Sequence, residues 1–264
     1  MTDQCQQTVG TVGDYVQTGI KGLQEPYDNT GLQVGDIETD IKGIMVSLDI
    51  TEAVLDEAIE HGCNMVVAHH PLLFRGLKRI AGQDFVQRVV VKAIKNDIVL
   101  YSAHTNLDKC HNGVSWKMAE LLGLENVMVL VPEKDGDVGL GCIGELKLPV
   151  GEAEALEYVK KAFGAECVRH TPLTGRMVRK IAVCGGSGAE FVEDAITAGA
   201  DMYVTADVKY HDFFLADNKI VMADIGHFES EVATKEIFYA EISKLFPKFA
   251  IRISVSERNV VNYA

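Results

Sequence analysis

Short runs rich in β-branched and other apolar residues occur at 44–50, 65–68, 98–103, 128–131, 181–184, 202–205, 220–225 and 251–255. They alternate with stretches at 51–60, 84–95, 114–122, 152–163, 189–198 and 228–245 whose apolar residues recur at helical spacing. Parallel strands need a crossover, and a helix usually supplies it. The alternation therefore predicts an α/β architecture with mixed, largely parallel sheets and helices on their faces. Gly62, Gly123, Gly164 and Gly199 stand just past four of the helical stretches, where a residue tolerant of the left-handed conformation ends a helix.

The alternation repeats on a larger scale. Met45-Val46-Ser47-Leu48 through His69-His70 lies over Ala182-Val183-Cys184-Gly185 through Ala206-Asp207 at a constant offset of 137 residues, without a gap. Val46 falls on Val183, Ala58 on Ala195, Ile59 on Ile196, Gly62 on Gly199, Met65 on Met202 and Val67 on Val204. Each copy reads strand, turn, helix, glycine stop, strand, a pattern that any two β-α-β units share and that a duplicated half would also leave. In a weaker echo, Ile98-Val99-Leu100 resembles Ile220-Val221-Met222, each running shortly into a histidine. The reading is two related α/β halves, 1–125 and 126–264, joined near Pro132-Glu133-Lys134-Asp135-Gly136, with the C-terminal part able to pack back on the first. A site built between such halves would draw ligands from both.

Composition narrows the partners. At 264 residues the chain suits one large domain or two small ones, and 47% apolar with 24% charged residues describes a folded globular protein. Its 25 basic against 38 acidic residues leave a net charge of −13, which argues against duplex nucleic acid as a partner. No apolar run approaches the ~18 residues needed to cross a bilayer, and Met1-Thr2-Asp3-Gln4 lacks the basic and apolar regions of a secretion signal. The expectation is a cytoplasmic protein with no membrane partner. Six cysteines, at 5, 63, 110, 142, 167 and 184, form no CxxC pair and read as small buried hydrophobes. Any metal is then left to histidines and carboxylates.

Three segments carry such donors at the ends of expected strands, where open α/β sheets place their sites. His69 and His70 follow the run 65–68, and Pro71 stiffens a loop able to turn both imidazoles toward one cavity. His104 and Asp108 lie in the polar stretch after 98–103; Asp108 could alternatively cap a helix, and His104 could orient a ligand rather than be one. His227 and Glu231 follow 220–225 and stand four residues apart, on one helix face, while Glu229 suits the acidic preference of a first helical turn. Together His69, His70, Asp108, His227 and Glu231 offer three nitrogen and two carboxylate donors. That exceeds what one catalytic zinc takes and suits two bridged divalent ions, with Zn, Fe, Mn, Co and Ni all compatible.

Two further segments are more open. Cys184-Gly185-Gly186-Ser187-Gly188 is a strand-to-helix turn whose backbone at Gly186, Ser187 and Gly188 could cradle an anion, or which needs glycine for its conformation alone. It matches neither phosphate-loop signature, because no Lys follows and position 191 is Phe. His211, in Thr205-Ala206-Asp207-Val208-Lys209-Tyr210-His211-Asp212, is either a proton carrier or part of a solvated loop.

Asp28-Asn29-Thr30-Gly31-Leu32-Gln33-Val34-Gly35, His69-His70-Pro71-Leu72-Leu73-Phe74, His104-Thr105-Asn106-Leu107-Asp108, Gly185-Gly186-Ser187-Gly188 and Gly226-His227-Phe228-Glu229-Ser230-Glu231 span most of the chain in order. Together they closely resemble the Nif-three-like dinuclear metal centre proteins, which in bacteria carry the name GTP cyclohydrolase I type 2 homologue. The resemblance implies a two-domain α/β chain assembled as a toroidal homohexamer, with two divalent ions per subunit facing an internal cavity. By motif match His69, His70, Asp108, His227 and Glu231 fall on the family's metal ligands, with Glu231 as the bridge. The chain resembles the short form, which lacks a middle domain. One departure is Gln24-Glu25-Pro26-Tyr27, where a Trp commonly adjoins the Asp; it touches packing rather than the metals.

The resemblance implies a metal-dependent hydrolase on a small nucleotide-like substrate, in its named form opening the guanine imidazole ring with loss of formate. His104 and His211 are then the candidate proton carriers, and the glycine turn the candidate anion site. A hexamer that stores or delivers metal, and an interaction module with a structural metal, are the alternatives.

Overall fold

The computed structural model describes residues 8–16, 22–134, 136 and 138–264. Along the chain run α1 (Val9–Val16), β1 (Gly31–Val34), β2 (Ile44–Ser47), α2 (Glu52–Glu60), β3 (Met65–Ala68), α3 (Phe85–Lys95), β4 (Val99–Ser102) and α4 (Thr105–Asp108). There follow α5 (Val114–Leu121), β5 (Glu125–Pro132), β6 (Gly139–Gly151), α6 (Glu152–Ala162), β7 (Arg169–His170), β8 (Met177–Ser187), α7 (Val192–Thr197), β9 (Met202–Ala206) and β10 (Val221–Asp224). The last are α8 (His227–Glu231), α9 (Thr234–Leu245) and β11 (Ile251–Ile253). The helix ends follow local chemistry. Thr51 and Asp84 accept hydrogen bonds from Val54 N and Gln87 N at the starts of α2 and α3. Gly62, Gly123, Gly164 and Gly199 all take positive φ, as the left-handed stop after a helix requires.

The chain divides into two units. The first comprises 1–107 and 234–258, the second 108–233 and 259–264. In the first, the strand order is β1-β4-β3-β2-β11, with β4, β3, β2 and β11 parallel and β1 antiparallel at the edge. Every residue of β2, β3 and β4 is buried, as expected of parallel strands covered on both faces. Met45, Val66 and Leu100 pack with Val54, Leu55 and Ala58 of α2 and Val89 and Ala93 of α3.

The second sheet runs β5-β6-β8-β9-β10-β7. Only β8, β9 and β10 are mutually parallel; β5, β6 and β7 pair antiparallel, so this sheet is not largely parallel, contrary to the sequence expectation. One face packs Ile181, Val183, Met202 and Val204 against Met118, Leu156 and Val159, and the other packs Ala182, Tyr203 and Met222 against Val192 and Ala195.

The ladders show what the 137-residue offset means. In the first unit Ile44, Met45 and Val46 pair with Met65, Val66 and Val67; in the second Ile181, Ala182 and Val183 pair with Met202, Tyr203 and Val204. The second ladder is the first shifted by 137 at every rung. The weaker echo holds as well, since Val99 and Leu100 pair with Met65 and Val66 as Val221 and Met222 pair with Met202 and Tyr203. Each unit then adds an antiparallel edge strand to the third member, β1 on β4 and β7 on β10.

Candidate metal centre

In the first unit β3 ends directly in His69, which is fully buried, and the half-buried His70. β4 ends two residues before His104. The parallel register of β3 and β4 brings these ends together, and the three rings sit with centroids 5.0, 5.2 and 5.6 Å apart. Each histidine offers one ring nitrogen, all within 4.8 Å of one another.

The Nδ1 atoms explain how three imidazoles share this space. His69 Nδ1 donates to the Ala103 carbonyl at 2.9 Å, His70 Nδ1 to Asp49 Oδ1 at 2.8 Å and His104 Nδ1 to Asp28 Oδ1 at 2.8 Å. A carbonyl or carboxylate oxygen accepts only, so each neutral ring carries its proton on Nδ1 and its lone pair on Nε2. Rings held in that tautomer by a carboxylate or carbonyl are what a divalent cation with nitrogen donors requires. The donors present fit the metal that the motifs imply.

The anchors are themselves fixed. The Asp28 side chain is fully buried; its second oxygen accepts from Thr105 N at 3.1 Å and Thr105 Oγ1 at 2.5 Å. Burial alone would raise its pKa, but the hydrogen bonds from His104 and Thr105 outweigh burial and hold it well below the usual carboxylate range. The turn carrying Asp49 is held by Glu257, whose Oε1 accepts from Leu48 N at 3.0 Å and Asp49 N at 2.6 Å, while Lys235 Nζ lies 2.9 Å from Oε2.

In the second unit Asp207 follows β9 in a left-handed conformation, and Gly226, also at positive φ, turns the chain into α8. His227 opens that helix and Glu231, almost fully buried, lies one turn on. His227 Nδ1 is 2.8 Å from Asp207 Oδ2 and Nε2 is 2.9 Å from Glu231 Oε2. Burial disfavours the charged ring, yet the two carboxylates overcome it and push its pKa up to about 11. The same pair of donors suits a divalent cation. Glu229 turns elsewhere, accepting from Asn259 Nδ2 at 2.9 Å.

The glycine turn makes room for this pair. A Cβ on Gly186, at φ +61, would lie 2.4 Å from Glu231 Oε1 and 3.3 Å from His227 Cε1. The Gly185 and Gly186 N–H groups donate to the hydroxyls of Ser115 and Ser230, at 3.4 and 3.0 Å. Ser187 ends β8, and the Gly188 carbonyl accepts from the Tyr203 hydroxyl at 2.6 Å. Asp108 closes α4, and its charge adds to burial in raising the Cys184 thiol pKa. His211 belongs to none of the donor groups among the described residues; it precedes a single 3-10 turn, its ring 5.2 Å from Tyr210 and stacked 6.3 Å from Phe214.

Cys63, Cys142 and Cys184 are buried as expected, but Cys110 is half-buried and Cys167 exposed, and Cys5 lies outside the described residues. Burial pushes the Cys142 thiol up to about 12 and also raises Cys63, which keeps both protonated and poor as ligands. Sequence reasoning missed Asp28, Asp49 and Asp207 as the carboxylates that orient histidines. Asp207 carried a signal, since it occupies the place of His70 in the 137-residue repeat, and Asp28 opens one of the motifs that carry the family resemblance.

The family model Duf34/NIF3 (NGG1p interacting factor 3) matches residues 15–260. A Clostridium perfringens protein named GTP cyclohydrolase 1 type 2 homolog is 38% identical over 213 residues, covering 79% of this chain and 80% of that protein. A Clostridium acetobutylicum protein of the same name is 34% identical over 248 residues, covering 91% and 92%. The crystal structure of a Staphylococcus aureus hypothetical protein matches with a TM-score of 0.92 over 98% of this chain and 100% of that one, at 23% identity, a likeness of fold.

Proposed function

The chain belongs to the Duf34/NIF3 family, and from that premise we propose that it is a metal-dependent hydrolase of a nucleotide-like substrate. We assign His69, His70, Asp108, His227 and Glu231 to two divalent ions, Glu231 as the bridge. The observation that carries this reading is the anchoring of Nδ1 in His69, His70 and His227, which leaves Nε2 of each as the coordinating atom. The relatives' name supplies the substrate class, and GTP cyclohydrolase chemistry is the specific form of the proposal.

Two such ions would lower the pKa of a water toward ~7 and polarise its target. The residues of this chain supply the rest. His104, in ring contact with His69 and His70 and paired through Nδ1 with the ionised Asp28, holds or moves a proton at Nε2 during opening of the imidazole ring. His211 is a second proton carrier in this proposal, and the Gly186-Ser187-Gly188 turn is one anion contact, through N–H groups other than that of Gly186, which Ser230 takes. Six copies form the working assembly.

Metal analysis of protein purified without added metal, with formate measured after incubation with GTP, tests the reading. Two ions per chain with formate release support it, and Glu231→Ala should remove most of the metal. Two ions without formate would replace it with a metal-storing or metal-delivering assembly; no metal would overturn it.

A further inference from the structure

The loop that leaves His70 spans 71–84 without regular secondary structure before α3 begins, and loops of that length are uncommon in compact units unless they serve a function or are disordered. Both of its ends are pinned. Near the start, Asn29 Nδ2 donates to the Leu73 carbonyl at 2.8 Å and Gln33 Oε1 accepts from Leu73 N at 3.1 Å. Near the close, Gln87 Oε1 accepts from Ala81 N at 2.9 Å. The middle, 74–80, is held out as a frame with Phe74 and Ile80 exposed.

Beside that frame is a groove of about 680 Å³, within the range of small-molecule sites. Phe74, Leu77, Ile80 and Ile94 give it an apolar wall. Phe74 ties the wall to the histidine cluster, its ring 6.2 Å from His104 at 87°, and Tyr27 meets its other side at 6.4 Å. Tyr27 thus extends an aromatic surface that ends on His104 of the histidine cluster.

Charge picks out the same frame. Arg75, Lys78 and Arg79 are exposed on it, and no acidic residue occurs anywhere in 61–83, in a chain whose net charge is −13. Among the described residues none of the three forms an ion pair, whereas Arg88, Lys92 and Lys109 each do. Three unpaired cations on the loop that lends Phe74 to the groove, outside the groove's own lining, match a ligand that is anionic at one end and planar at the other.

We propose that the 71–84 loop is the nucleotide-binding element of this protein, stacking a purine base on Phe74 and holding the phosphate chain with Arg75, Lys78 and Arg79. This rests on the nucleotide reading above and adds which residues recognise which part of the substrate. Phosphates are held by exposed charges and the base by stacking, so the two contributions are separable.

Calorimetric titration of the full chain as purified, with GTP, guanosine and inorganic tripolyphosphate, tests this. Metal content is measured on every variant. Arg75→Ala/Lys78→Ala/Arg79→Ala should weaken GTP and tripolyphosphate by at least about tenfold and leave guanosine within about twofold. Phe74→Ala should weaken GTP and guanosine but not tripolyphosphate. Arg75→Lys/Arg79→Lys should retain most GTP binding, which guards against misfolding of the triple variant. Lys134→Ala/Lys147→Ala/Lys161→Ala, with the same change in total charge, should alter nothing. Equal weakening by both charge triples, no effect of the loop triple, or no GTP binding by the wild type overturns the proposal. So does a single-stranded oligonucleotide that binds more tightly than GTP with the same loop dependence. GTP binding that follows this pattern without formate release would sink the hydrolase reading alone, and formate release untouched by the loop triple would sink the loop alone.

Discussion

A histidine donates a lone pair to a metal only from the nitrogen that bears no proton, so the group on Nδ1 decides what Nε2 can do. Asp49 and Asp207 take that role for His70 and His227. Asp49→Asn and Asp207→Asn should each lower metal affinity by about 10- to 100-fold with an unchanged circular dichroism spectrum; affinity within twofold of wild type would show that these rings need no carboxylate. Asp28→Asn separates two roles for His104. Lost turnover with metal retained marks a proton carrier, and lost metal marks a ligand. The candidate donors could be picked out in the sequence, because histidines and acids at strand ends are rare enough to notice. Their anchors were not, since Asp28 lies 76 residues from His104 and Asp49 lies 21 from His70, and only the folded chain brings each pair together.

Among the elements, the β-α-β repeat was readable down to the ladder register, since β-branched strands and glycine stops recur at fixed spacing. The strands missed, β1, β6 and β7, are glycine-rich or only two residues long. α1 was missed because it carries Gly10 and Gly13, and a Cβ on Gly13 would meet the Tyr101 ring at 2.6 Å. The single helix expected over 228–245 is two, parted at Val232 and Ala233, neither of which signals a break. An element-scale prediction concerns α2. Its Glu57 accepts hydrogen bonds from Ser254 Oγ at 2.6 Å, Val255 N at 3.0 Å and Ser256 N at 3.0 Å. Burial opposes ionisation, yet these donors prevail and lower its pKa to about 2 from 4.5. The folded state thus binds that proton more weakly than the unfolded one, so its stabilisation is complete above pH 4.5 and lost as pH falls toward 2. Glu57→Gln should cost about 1–3 kcal/mol in urea unfolding at pH 7 and progressively less below pH 4. A constant difference across that range would refute the linkage.

For the whole molecule, a toroidal homohexamer predicts that sedimentation at micromolar concentration shows a species several-fold heavier than 28.9 kDa; a monomer would remove the assembly from the proposal. Fold class was legible because alternation fixes it, while the balance of strand directions was not: the edge strands of the second sheet lie outside the repeated part. The discontinuity of the first unit reaches further. Its last strand, β11, comes from 251–253 and pairs with β2, and its Glu257 secures the turn that holds Asp49. A ribosome delivers every strand of the second unit before it delivers β11. The unit that is begun first therefore waits for its last strand until the sheet of the other has been made, and His70 gains its secured partner only once Glu257 has followed.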